Sequence, residues 1–127
     1  MRNVIMQYTR VYSDSDGVSH FDDVKVRFKS ADFAPPAPPL NISAFNTAVQ
    51  YGFLKAPAGW SGDWHPAPRR QILIYLSGEI EAEVGDGEIR RFGPGSVTLV
   101  EDITGQGHRS RVLGDEDVSA MVIHLAK

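Results

Sequence analysis

The chain contains no cysteine in its 127 residues. Disulfides, thiolate nucleophiles and thiolate metal sites are thereby excluded, and the absence suits a reducing compartment. Nor is there any apolar run near the roughly 20 residues that a membrane-spanning helix needs. The first eight residues, Met1 to Tyr8, hold too short an apolar segment for a secretory signal. A soluble cytoplasmic protein is expected. Basic charge is scarce: 13 Lys and Arg stand against 16 Asp and Glu, a net charge of -3. Nucleic acid and anionic membranes are therefore not expected partners. A convincing helical pattern is missing as well.

What remains is short strands between hard turns. At 127 residues the chain reads as one domain, residues 1–127, able to bury about two thirds of its unfolded surface. Residues 4–12 suit a first strand, and Ser13-Asp14-Ser15-Asp16-Gly17 a turn. Val24, Val26 and Phe28 alternate with Lys25, Arg27 and Lys29, the period-2 pattern of a half-buried strand. Strands follow at 47–56, 71–77 and 79–84, where Ile80, Ala82 and Val84 alternate with Glu79, Glu81 and Glu83. Asp86-Gly87 is a hairpin signal before 89–92, and further strands are expected at 96–100, 108–113 and 118–125. This punctuation predicts an all-β, antiparallel double-sheet barrel or sandwich.

Four of the eight prolines fall in residues 33–40. Proline lacks the ladder N–H, so this segment is no central strand. It reads as an extended arm anchored by Phe33 and Leu40, on the barrel or on a neighbouring subunit. A polyproline segment offered to an SH3-like partner is the alternative.

The richest stretch runs from Gly59 to Gly78. Gly59 is followed after five residues by His65-Pro66-Ala67, after three more by Gln71, and after six more by Gly78. Later, Gly95 is followed after five residues by Glu101, with His108 seven residues beyond and Val112 four residues after that. These spacings resemble the two motifs of the cupin superfamily of small β-barrels. The first motif there reads glycine, five residues, His-x-His, three or four residues, glutamate, six residues, glycine. Here Ala67 stands for its second histidine and Gln71 for its glutamate. The second motif fits if two residues are inserted before His108, with Val112 in place of its asparagine.

The resemblance implies a cupin or jelly-roll barrel over roughly 49–125 that binds a small organic molecule inside. It implies either no cofactor or one divalent transition metal, Fe, Mn, Zn or Ni, at His65, Gln71 and His108. Asp63, of the same strand parity as His65, is the nearest substitute carboxylate, followed by Glu101 and Asp102. His65, His108 and Tyr75 are the expected acid–base groups, with Tyr75 on the Gln71 side of its strand. Trp60, Trp64, Gln71 and Arg69 are expected to contact ligand, the arginine by recognising a carboxylate or phosphate. Arg109 and Arg111 should face away from His108. His20 and His124 are read as ordinary surface or satisfied histidines. Ile72, Ile74 and Leu76 make the opposite face of that strand apolar too, so a homodimer is expected. Two functions suit such a chain: a lyase, isomerase or cyclase, or a non-catalytic ligand-binding sensor that has lost its metal.

Overall fold

A computed structural model describes residues 6–127, so Val4 and Ile5 of the expected first strand lie outside the described residues. The strands are β1 (Gln7–Ser13), β2 (Ser19–Lys25), β3 (Lys29–Ala31), β4 (Leu40–Ile42), β5 (Ala48–Ala56), β6 (Ser61–His65), β7 (Gln71–Ser77), β8 (Glu79–Glu83), β9 (Ile89–Phe92), β10 (Val97–Val100), β11 (His108–Leu113) and β12 (Val118–Leu125). Among the described residues there is no helix, and hence none long and apolar enough to cross a membrane.

Two sheets enclose the core. One has the order β2-β1-β10-β7-β12-β5, the other β6-β11-β8-β9, and β3-β4 forms a small sheet of its own. The pairing is antiparallel except where β1 runs parallel to β10. The expected double-sheet, jelly-roll-like architecture is what the chain adopts. Val11, Tyr75, Val100, Val118 and Ala120 from the larger sheet meet Ile80, Phe92 and Val112 from the smaller one, with Val84 just past β8. Tyr75 stacks on Phe92 at 5.8 Å between ring centroids, and Phe21 meets Phe92 edge-on at 6.2 Å. Each large apolar side chain so buried contributes on the order of 1.5–3 kcal/mol before entropy is charged against it.

Two strands, β2 and β6, depart from the sequence expectation. In β2 the inward residues are Ser19 and Phe21, whereas Val24 is half-buried and Phe28 lies beyond the strand at 50% exposure. Alternation at 24–28 does not set this face because β2 ends at Lys25, where pairing with β1 runs out. The proline segment forms the loop between β3 and β4, and within one chain Phe33 meets Phe45 edge-on at 6.1 Å. In β6, His108 pairs with His65 but Ser110 pairs with Gly62, so β6 carries one extra residue opposite Arg109. That bulge reverses the strand's parity, with consequences for the site.

The outer face of the larger sheet is apolar as well. Phe53, Met121, Ile74 and Val97 align across four strands, and Tyr51, Ile123, Ile72 and Leu99 form the row beside them. Tyr51 and Phe53 are 71% and 70% exposed.

At one end of the molecule His20 stands between two carboxylates. Its Nε2 lies 2.7 Å from Asp14 Oδ2, and its Nδ1 lies 2.7 Å from Asp86 Oδ2. The bond to Asp14, then that to Asp86, holds the imidazole above its ordinary pKa of 6.5. Asp14 and Asp86 are in turn held below the ordinary carboxylate value, Asp14 chiefly by His20 and Asp86 chiefly by the Glu88 N–H. A group raised on folding stabilises fully below its unfolded pKa, and the effect is lost as pH rises through the folded one. The melting temperature of the wild type should therefore fall relative to His20→Gln as pH climbs from about 6.5 upward. A constant difference across that window would contradict the assignment.

Candidate functional site

A cavity of about 280 Å³ lies between the two sheets. Phe21, Leu73, Ile80, Phe92 and Val100 supply its apolar wall, and Lys55, Trp60, His65, Gln71, Tyr75, Thr98, His108 and Ser110 its polar groups. Among the described residues no Asp or Glu lines it. Its volume is room enough for a small organic molecule.

The two histidines are brought together by β-pairing. His65 ends β6 and His108 begins β11; they are register partners, and their ring centroids are 4.8 Å apart. His65 Nδ1 lies 2.8 Å from Asp63 O, and a carbonyl can only accept, so Nδ1 carries the proton. His108 Nδ1 lies 2.6 Å from Asp102 Oδ2. Asp102 is fully buried, and its Oδ1 has no partner among the described residues. A buried carboxylate is costly unless it is compensated, and the bond from His108 Nδ1–H supplies that compensation. Both rings then keep Nε2 for a ligand. In the neutral state each Nε2 is a lone-pair acceptor.

The remaining expected residues divide. Gln71 and Tyr75 line the cavity, four residues apart on β7, so about 13 Å of strand separates them. Tyr75 lines this same cavity, with its ring stacked on Phe92. Burial raises its phenol above the ordinary range, so it is a neutral donor. The neighbouring Thr98 hydroxyl opposes that shift, but Thr98 Oγ1 forms no hydrogen bond of ordinary geometry, and burial decides the outcome. Trp60, 37% exposed, lines the cavity from the start of β6.

Asp63, Trp64 and Arg69 stand elsewhere. The β6 bulge turns Asp63 and Trp64 to the outer face. There Asp63 joins Glu81, Glu83, Arg109 and Arg111, and the Arg109 guanidinium sits 5.0 Å over the Trp64 ring. The parity that would give Asp63 and His65 one face is broken by the extra residue. Arg69 donates to Leu125 O at 3.0 Å, and Arg70 to Ala126 O and Glu101, so both arginines fasten the chain's end. Glu101 is no cavity carboxylate either. Burial disfavours its charge, but Arg10 and Arg70, each at 2.5 Å, outweigh this and hold its pKa below the ordinary value.

A metal is poorly served. The cavity offers two imidazole nitrogens and a neutral amide. Ala67, 3% exposed, stands where the resemblance would put a second histidine. Among the described residues no three His, Cys, Asp or Glu side chains gather closely enough to hold an ion. Iron, manganese, nickel or zinc sites ordinarily take three or more protein ligands, commonly with a carboxylate. The residues do not fit such an ion.

Asp102 takes a different role from the one its position suggests. Its place in the loop before His108 suggests a substitute metal ligand, whereas the structure makes it that histidine's hydrogen-bond partner. Asp102→Asn keeps the shape and removes the charge. The wild type should show a far-downfield histidine Nδ1–H resonance in NMR that the variant lacks; identical spectra would contradict the pair.

No protein-family model matches the chain, and none of the curated proteins does. Among solved structures the chain is similar to the cupin domain of Schizosaccharomyces pombe Cnp3, with 16% identity, 99% of this chain and 86% of that one covered, and a TM-score of 0.51. It is similar to a Cupin 2 conserved barrel domain protein from Salinispora arenicola at 20% identity, covering 80% and 76%, with a TM-score of 0.48. It also matches the DMSP lyase DddQ from Ruegeria pomeroyi at 24% identity, covering 80% of this chain and 48% of the lyase, with a TM-score of 0.48.

Proposed function

We propose that this chain, a protein of the cupin fold, binds a small organic molecule in its inter-sheet cavity and acts on it by proton transfer at His108, as a lyase, isomerase or cyclase. The observation that carries this reading is the buried Asp102 carboxylate bonded to His108 beside His65. A carboxylate behind an imidazole fixes its tautomer and offsets the charge that it gains as a base. A proton leaves a C–H of the ligand for His108 Nε2. The electron pair left behind moves into an adjacent carbonyl or expels a leaving group, and the imidazolium returns the proton to another atom. His65, Gln71 and Trp60 orient the ligand, and Tyr75 and Thr98 meet its far end.

A thermal-shift screen of small metabolites tests this reading. A compound at 100 times its Kd should stabilise the wild type by about 2.7 kcal/mol. His65→Ala and His108→Ala should lose that response. If both variants respond like the wild type, the histidines are not the site. Binding without turnover would instead select a non-catalytic sensor. That reading draws support from the two motif positions that have lost metal-ligand chemistry, Ala67 and Gln71.

We also infer a homodimer built on the outer face of the larger sheet. Its two apolar rows end at the exposed Tyr51 and Phe53, and a patch of this kind marks an interface. The proline-bearing β3–β4 arm, with Phe33 and Leu40 at 54% and 49% exposure, packs on the second copy in this arrangement. Phe53→Glu should convert the sedimentation profile to monomer with the circular dichroism unchanged. A wild type that already sediments as a monomer would overturn the inference.

A further inference from the structure

The loop that supplies Asp102 and ends at His108 has no strand of its own to fix it. It rests on the β1–β2 hairpin instead. Glu101 N donates to Val11 O at 2.7 Å, and Ser13 Oγ donates to Thr104 O at 2.8 Å. Gly105 approaches Gly17 so closely that a Cβ on Gly105 would overlap the Gly17 carbonyl.

Ser19, the first residue of β2, is 1% exposed. Its hydroxyl donates to Gly107 O at 2.7 Å and accepts from Gly85 N at 2.7 Å. One buried oxygen thus joins the hairpin to the β8–β9 turn and to the residue just before His108. Gly107 is itself pressed against the other cavity histidine. Its φ is +77°, and a Cβ there would overlap the His65 carbonyl. Ser19 therefore stands behind both imidazoles through a single peptide unit.

At the hairpin's outer end is His20. The groups facing it are Asp14 from the turn after β1, Asp86 from the β8–β9 turn, and the Tyr12 ring at 5.5 Å, which carries the Arg10 guanidinium at 4.5 Å. Two carboxylates on opposite ring nitrogens require both N–H groups, which only the imidazolium has. The charged ring joins the hairpin to the β8–β9 turn; the neutral ring must give up one of the two bonds.

We propose that the β1–β2 hairpin is the positioning element of the two-histidine cavity, that Ser19 is its positioning residue, and that the charge on His20 sets how firmly it holds the Asp102–His108 pair. The inference rests on the reading of that cavity as the ligand site. It assigns His20 a role at a distance that the cavity's own residues do not suggest. Loss of the His20 proton frees one end of the hairpin, Ser19 and Gly107 gain freedom, and the His108 Nδ1–H opens to water more often. The cavity is then held in its binding geometry for a smaller fraction of the time, which lowers apparent affinity by that fraction.

The test is the exchange of the His108 Nδ1–H with water, followed by nitrogen-15 NMR on the full chain from pH 5 to 9, with each variant compared with wild type at the same pH. His20→Gln should exchange about tenfold faster than wild type at low pH, where an open fraction changed by one decade is readily read, and converge with it at high pH. His20→Arg, a permanent cation, should stay slow throughout. Ser19→Ala should be fast at every pH. Equal exchange in wild type and His20→Gln at pH 5 overturns the proposal, and so does Ser19→Ala exchange equal to wild type. If Ser19→Ala does not fold, the two His20 variants decide alone. Because exchange is read without any ligand, failure here leaves the ligand site untouched. Loss of the histidine dependence in the thermal-shift screen removes the ligand site without altering the exchange result.

Discussion

A carboxylate cut off from water must be compensated from within the protein, and Asp102 meets that demand through one short bond to His108. Much of the site follows from this constraint. The bond sets which imidazole nitrogen carries the proton and therefore which one is left for a ligand. It makes the preceding loop a structural element, because a buried charge held by one contact tolerates little displacement. It also explains the density of contacts behind the loop, from Val11, Ser13, Gly17 and Ser19. Remove the pair, and those contacts would support a loop with nothing to position.

The larger sheet solves a different problem. β7 lies near its centre and is apolar on both faces, one lining the cavity and the other facing outward. That outward face is half-buried at Ile72 and Ile74, where residues 25–27 and 43–46 lie beside it, and its rows continue out to the exposed Tyr51 and Phe53. The smaller sheet needs no cover, since its outer face carries the pairs Arg109–Glu83 and Arg111–Glu81. Exposed pairs of this kind add little stability, but they keep the face wetted. The two sheets thus present opposite chemistry outward while sharing one apolar interior.

The architecture was largely legible in the residue pattern. Strict alternation in 79–84 and the Asp86-Gly87 turn specify the β8–β9 hairpin, and the apolar run after Gln71 specifies β7. These signals are local, and local signals survive translation into three dimensions. The site was legible only where it depended on such signals. Spacing singled out His65, Gln71, Tyr75 and His108, which all line the cavity. Asp63 failed because one inserted residue in β6 reverses parity, a bulge whose one local signal is Gly62 within the strand. Arg69 failed because its partner is the carbonyl of Leu125, 56 residues away. Ser19 gave no signal at all: a serine at a strand start reads as a turn residue until the segments that it joins are seen together. Contacts across long separations are set by topology, which residue spacing does not encode.

The measurement that bears most directly on this account is the affinity of a screened small-molecule ligand for Asp102→Asn against wild type, by calorimetry at matched pH. The account predicts at least a tenfold loss, about 1.4 kcal/mol, with the fold intact by circular dichroism. Equal affinity in a folded variant would show that the buried carboxylate does not prepare His108 for a ligand, and the reading of the cavity would fall with it.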